Sequence, residues 1–201
     1  MIKNIVFDFG QVLVHFDTEY MTKQYIKDEK DAVLAEKVIF DRLYWDRLDA
    51  GTISDEELIK CVKERLPEHL HKSAEDIYMN WIYNIPEIEG MKNLIKSLKK
   101  DYGVSIYLLS NISTYFASHS DEIPILKEMD GCVFSAVCGF TKPNHEIFNH
   151  LCEKFNIKPE ETIFIDDSEI NTKSAELFGI KAYLFKKDPD NLKKWINSII
   201  K

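Results

Sequence analysis

Short apolar segments alternating with amphipathic helical ones over the second half of this chain constrain its fold more than any other feature. Val104-Ser105-Ile106-Tyr107-Leu108-Leu109, a segment near Cys132 to Phe134, Thr162 to Ile165 and Ile180 to Phe185 read as buried strands. Between them lie helical patterns at about 89 to 101, His145 to Phe155 and Glu169 to Phe178, the last closed by Gly179, and a final helix carries Trp195. Strands apolar throughout and separated by helices require a parallel sheet covered on both faces. A first strand over residues 2 to 7, bounded by Asp8-Phe9-Gly10, belongs to the same sheet.

From Thr18 to about Asn84 the pattern is helical only. Tyr20, Met21, Gln24 and Tyr25 recur at helical spacing, as do Val33, Leu34, Val38 and Ile39. Ser54-Asp55-Glu56-Glu57 has the form of a capping box, which starts a helix that ends near Pro67, and Ser73 begins another running through Ile77, Trp81 and Ile82. The expected fold is α/β: a Rossmann-like core formed by residues 1–14 and 87–201, with an all-helical cap inserted at 15–86. The insertion should sit above the carboxyl edge of the sheet, where open α/β folds bind ligands.

Charge narrows the partners. With 26 Lys plus Arg against 34 Asp plus Glu the net charge is −8, which disfavours nucleic acid and anionic membrane surfaces. No segment has the roughly 20 apolar residues of a membrane span, and the start shows no cleavage-site pattern, so a cytoplasmic location is expected. Cys61, Cys132, Cys138 and Cys152 form no Cys-x-x-Cys pair and read as reduced thiols in apolar surroundings. A small molecule is the expected partner.

Four polar clusters follow strands: Asp8-Phe9-Gly10, Ser110-Asn111, Lys142-Pro143, and Asp166-Asp167 with Asn171 behind them. A parallel sheet brings strand ends of one polarity to one edge, so these clusters converge. Taken singly, Asp8 reads equally as a turn residue, Ser110-Asn111 as a helix cap and Lys142 as a solvated charge. Together they suit phosphoryl transfer, in which carboxylates hold Mg²⁺, a lysine neutralises phosphate oxygens and one carboxylate attacks phosphorus. Ser110 and Asn111, read as opening a helix, would offer a hydroxyl and N–H groups to a phosphate.

In this combination and order the chain resembles the haloacid dehalogenase superfamily, whose members are mostly Mg²⁺-dependent phosphatases. The motifs are Phe7-Asp8-Phe9-Gly10-Gln11-Val12, Leu108-Leu109-Ser110-Asn111, Thr141-Lys142-Pro143 followed by Ile147-Phe148, and Phe164-Ile165-Asp166-Asp167. Within it the chain looks similar to bacterial glucose-1-phosphate phosphatases, whose cap carries a segment resembling Gly51-Thr52-Ile53-Ser54-Asp55-Glu56, and to the phosphatase-like domain of soluble epoxide hydrolase. The resemblance implies Asp8 as a nucleophile forming an aspartyl-phosphate, Lys142 as its catalytic partner, and Ser110, Asn111 and Lys142 on the phosphoryl group. It implies Mg²⁺ held by Asp8, the main-chain carbonyl of Gly10, Asp166 and Asp167. The implied substrate is a small phosphorylated metabolite such as a hexose 1-phosphate.

One position departs from the superfamily pattern. Most of its phosphatases carry a second aspartate two residues after the nucleophile, which protonates the leaving group and activates water; here that position is Gly10. Losing a general acid/base costs about 10² to 10⁴ in rate. Either another group substitutes, with His15 and Asp17 the nearest candidates, or the leaving group needs little protonation. The alternatives to a phosphatase are a catalytically weak relative that binds a phosphometabolite or a protein, and a metal-free 2-haloacid dehalogenase. Arg42 and Arg47, beside Tyr44 and Trp45, have the composition of a ligand clamp but read more simply as the exposed face of a cap helix.

Overall fold

The computed structural model describes residues 1–200. Five strands, β1 (Asn4–Phe7), β2 (Ser105–Ser110), β3 (Gly131–Phe134), β4 (Thr162–Asp166) and β5 (Lys181–Leu184), form one sheet in the order β3-β2-β1-β4-β5. Every neighbouring pair is parallel. Side-chain alternation divides the sheet cleanly. Ile5, Phe7, Ile106, Leu108, Ile163 and Ile165 face one core, packed with α6 (Met91–Tyr102) and α11 (Pro189–Ile199). Val6, Leu109, Val133 and Phe164 face a second core, with α9 (His145–Phe155) and α10 (Glu169–Phe178). Both faces are dry, which is why the strands read as unbroken apolar runs rather than as alternating ones.

Between β1 and α6 lie α1 (Thr18–Lys23), α2 (Glu29–Ile39), α3 (Arg42–Asp49), α4 (Asp55–Arg65) and α5 (His71–Asn80), the last prolonged by a 3₁₀ turn at Trp81–Tyr83. The capping box of α4 is formed as the sequence predicts: Glu57 N donates to Ser54 Oγ at 3.1 Å and Ser54 N to Glu57 Oε2 at 2.9 Å. The buried face of α2 differs from the expected one. Ala32, Ala35, Val38 and Ile39 are inside, while Val33 and Leu34 are exposed. Two alanines form the first half of the buried face and Val38 with Ile39 the second, so the bulky Val33 and Leu34 fall outside it.

The helices are centred on an aromatic cluster. Trp45 meets Phe40, Tyr78 and Trp81 at ring-centroid distances of 5.0 to 6.1 Å, and Trp81 stacks on Phe116 at 5.5 Å. Phe116 belongs to α7 (Thr114–Ser118), so the cluster joins the helical stretch to the sheet-bearing part. Arg65 reaches Asp41 at 2.6 Å and lies over Tyr44, and is thereby a strut between helices. The four cysteines are free; Cys152 is buried and the other three are half-buried. No helix among the described residues is long and apolar enough to cross a membrane.

Candidate active site

The carboxyl edge of the sheet gathers the residues the sequence singles out. Asp8 follows β1, Ser110 ends β2 and Asp166 ends β4. Lys142 enters from the loop between α8 (Ser135–Cys138) and α9. Its ammonium donates to Asp8 Oδ1 at 2.6 Å, to Asp166 Oδ2 at 2.8 Å and to the Leu109 carbonyl at 3.0 Å. The Lys142 side chain is only 2% exposed, so this charge is held inside the protein by its partners. Burial works against the ammonium, but Asp166 and Asp8 outweigh it and keep Lys142 above the usual lysine range.

Asp166 is fully buried and accepts from donors at both oxygens: Oδ1 from Ser168 N at 2.8 Å, Oδ2 from Lys142, and both from Asn171 Nδ2 at 3.1 Å. Asp167 is exposed, and partial burial together with the Asp166 charge moves its carboxyl above the usual range. Burial also pushes Asp8 up, to about 7, against the opposing pull of Lys142. Oxygens of Asp8, Asp166 and Asp167 lie within 4.8 Å of one another. Three carboxylates facing one ammonium leave negative charge uncompensated, and the all-oxygen set suits a hard divalent cation. The residues therefore fit a metal ion.

Above this floor is a cavity of about 190 Å³. Asp8, Gly10, Ser110, Asn111 and Lys142 line its lower part, and Phe16, Trp45, Asp49 and Trp81 line the side formed by the helical stretch. Gly10 keeps an ordinary backbone, and a Cβ placed there would meet only the Phe16 Cβ, at 3.6 Å. Neither strain nor crowding demands glycine at this position.

Several expectations change on contact with this geometry. Ser110 and Asn111 do not open a helix: α7 starts at Thr114 behind the cap residue Ser113 and is five residues long. Asn111 instead binds the main chain of Lys142 from both sides, with Lys142 N donating to Oδ1 at 2.8 Å and Nδ2 donating to the Lys142 carbonyl at 2.9 Å. Asp17 caps α1 through the Tyr20 amide and is exposed, and neither it nor His15 lines the cavity. Arg42 lines the cavity but is mostly exposed and pairs with Asp46 at 2.5 Å.

Asp49 is the residue that sequence reasoning missed. It is 7% exposed, and burial pushes its carboxyl up to about 8. Its signal was an acidic residue directly preceding Ala50-Gly51, at the end of a helix whose Trp45 and Leu48 mark a buried face. Three buried side-chain polar atoms lack a hydrogen-bond partner among the described residues: Gln11 Oε1, Asp49 Oδ1 and Trp81 Nε1. All three residues line this one cavity.

Comparison with known proteins agrees with the geometry. The chain is 29% identical to D-ribitol-5-phosphate phosphatase of Bacteroides thetaiotaomicron over 97% of its own length and 95% of the relative's. A HAD family enzyme from the same organism, solved in complex with magnesium and inorganic phosphate, superposes with a TM-score of 0.74 at 26% identity, covering 96% of this chain and 99% of that one. A predicted HAD-like family hydrolase from Porphyromonas gingivalis also gives 0.74 at 26% identity, over 100% and 98% of the two chains. The family model of haloacid dehalogenase-like hydrolases matches residues 2–179, and the chain belongs to that family.

Proposed function

We propose that this protein is a Mg²⁺-dependent phosphatase acting on a small polyhydroxylated phosphomonoester, a sugar or polyol phosphate, through an aspartyl-phosphate on Asp8. The observation that carries the reading is the Lys142 ammonium set between Asp8 and Asp166 at the floor of the cavity. A nucleophilic carboxylate needs a neighbouring cation both to stay ionised when buried and to admit a phosphoryl dianion. The phosphatase and the magnesium-phosphate complex among the relatives support the same chemistry.

In this mechanism residues 15–86 act as a cap that closes the cavity over the substrate. Asp8, Asp166, Asp167 and the main-chain carbonyl of Gly10 would hold Mg²⁺, which when bound neutralises phosphoryl oxygens. Ser110 and the free amide hydrogen of Asn111 receive the phosphoryl group, and Lys142 neutralises it from below. Asp8 attacks phosphorus, the alcohol departs, and water then cleaves the aspartyl-phosphate. Lys142 serves both half-reactions, because its partners on Asp166 and the Leu109 carbonyl keep it in place while Asp8 changes charge.

The orphaned polar atoms support the substrate class. Leaving a buried donor or acceptor unpaired costs about 1–3 kcal/mol, so such atoms around one cavity mark where a ligand supplies partners. Gln11 Oε1 accepts and Trp81 Nε1 donates, and hydroxyl groups satisfy both kinds at once. An aliphatic phosphate satisfies neither.

The test is phosphate release from sugar, polyol, nucleoside and acyl phosphates, with Mg²⁺ or with chelator, by the native chain and by Asp8→Asn. Metal-dependent turnover that prefers polyhydroxylated substrates and vanishes in Asp8→Asn is the expected result. Turnover unaffected by chelator or by Asp8→Asn would refute the assignment.

A further inference from the structure

The reaction just described lacks a proton donor. An alkoxide is a poor leaving group, so breaking the ester P–O bond at neutral pH calls for an acid beside the departing oxygen and, afterwards, a base beside the attacking water. Asp8 is occupied as nucleophile and Lys142 is held by two carboxylates. Among the described residues that line the cavity, the one remaining carboxyl group is that of Asp49.

We propose that Asp49, carried by the helical stretch, is the general acid and base of this enzyme, a role that rests on the phosphatase reading above. It lines the same cavity as Asp8, with Oδ1 buried and unpartnered. It is the last residue of α3, where unpaired helix carbonyls disfavour an ionised carboxylate. Burial acts in the same sense and keeps the group protonated near neutrality, the state an acid must have before the first step.

The backbone around Asp49 is fixed to the sheet-bearing part at two points. Ser135 Oγ donates to the Asp49 carbonyl at 2.5 Å and accepts from Ile112 N at 2.8 Å, tying the end of α3 to the segment that follows Ser110. Two residues on, Gly51 (φ +68°) packs so closely on α8 that a Cβ would lie 2.6 Å from the Ala136 carbonyl oxygen. A proton-transfer group placed on a separate layer needs such a clamp, since misplacement by about 1 Å costs orders of magnitude in rate. Here the clamp is built from the start of α8, itself held by the Ile112 amide two residues after Ser110.

The proton balance is complete. In the first step the Asp8 carboxylate forms the new O–P bond, the ester O–P bond breaks, and the Asp49 carboxyl proton passes to the departing alcohol oxygen. In the second step water forms an O–P bond, the Asp8 O–P bond breaks, and a water proton returns to the Asp49 carboxylate. The net change is phosphomonoester plus water to alcohol plus phosphate. Gln11 and Trp81 remain free to bind the hydroxyls of the leaving alcohol.

The experiment compares the native chain with Asp49→Asn on ribitol 5-phosphate, whose leaving group needs a proton, and on p-nitrophenyl phosphate, whose leaving group does not. The expected result is a 10²- to 10⁴-fold loss of kcat on the polyol phosphate. On the aryl phosphate one nitrophenolate per site should appear in a burst, followed by slow turnover, because the phosphoenzyme forms but its hydrolysis lacks a base. Asp49→Ala, assayed with and without formate, is the second variant, and partial recovery with formate is expected. Native kcat in Asp49→Asn, or equal losses on both substrates with no burst and no formate rescue, would overturn the role of Asp49. A native chain inactive on both substrates would instead overturn the phosphatase reading, and this role with it.

Discussion

Asn111 holds the main chain of Lys142 at both ends of the residue, accepting from its N–H at 2.8 Å and donating to its carbonyl at 2.9 Å. The two residues are 31 apart in sequence, and this pair sets the height at which Lys142 Nζ meets Asp8 and Asp166. Asn111→Ala would leave a part-buried N–H and C=O unpaired, at about 1–3 kcal/mol for each group that water cannot reach. We expect a loss of stability in urea denaturation and a fall in kcat larger than the rise in KM. Asn111→Asp should be worse than Ala, because it keeps the acceptor for Lys142 N but turns a donor into a second acceptor facing the Lys142 carbonyl.

Lys142→Met tests the ammonium itself while keeping most of the side-chain volume. Its removal leaves Asp8 and Asp166 side by side without a cation, and breaking a buried pair in this way costs about 3–5 kcal/mol. The expected outcome is a large loss of stability at pH 7.5 that shrinks toward pH 5, where Asp8, its carboxyl raised by burial, takes up a proton and the repulsion ends. Activity should be absent at both values. Equal destabilisation at the two pH values would show that packing, not charge, is what Lys142 contributes.

A divalent ion should relieve the same excess of negative charge. Mg²⁺ at 100 times its Kd stabilises the folded state by about 2.7 kcal/mol, which thermal denaturation with and without chelator detects. In Asp167→Asn the Mg²⁺-dependent rise should shrink or vanish, while the metal-free midpoint moves little, because the Asp167 side chain is exposed. A full Mg²⁺ response in that variant would remove Asp167 from the ligand set.

Gly51→Ala separates the clamp from the cavity it serves. The left-handed backbone and the Ala136 carbonyl both resist a Cβ there, so the turn between α3 and α4 must lift away from α8. Gly51 does not line the cavity. We expect kcat to fall with Mg²⁺ binding intact, and a stability loss of about 1–3 kcal/mol. Gly103→Ala, also at positive φ but with open space around it, is the control that carries strain without displacement.

The sheet and its edge were legible in the sequence for one reason: the central strands, buried on both faces, are apolar through their interiors and end at polar residues. Asp8, Ser110 and Asp166 sit where that reading puts them, and α9 and α10 begin and end at the predicted residues. The helical stretch was legible as helices but not as faces, since Val33 and Leu34 carry the stronger apolar signal yet lie outside Ala32 and Ala35. Asp49 was obscured differently. In sequence it is one acidic residue among several near a helix end, and only tertiary packing shows that it is buried and lines the cavity that Asp8 lines. His15 and Asp17 are nearer to Asp8 in the chain, but sequence distance does not predict which residues of the helical stretch line the cavity.

The protonation of Asp49 has a consequence for stability that is independent of catalysis. Its folded-state carboxyl is raised to about 8 from an ordinary value of 3.8, chiefly by burial, with Asp46 and Asp8 adding to the shift and Arg42 and Lys142 opposing it; Tyr78 is the other titratable group coupled to it. Between those two pH values the folded chain holds a proton that the unfolded chain has released. Stability from this group is therefore complete below about pH 4 and is lost as pH rises toward about 8, with a slope approaching 1.4 kcal/mol per pH unit. Asp49→Asn, similar in shape and unable to ionise, lacks this dependence. Urea denaturation of the two proteins across pH 5 to 8.5 should show the variant gaining on the native chain as pH rises, with the difference levelling off above about pH 8. A pH-independent difference would mean that Asp49 ionises normally in the fold, leaving the reaction without a protonated acid at neutral pH.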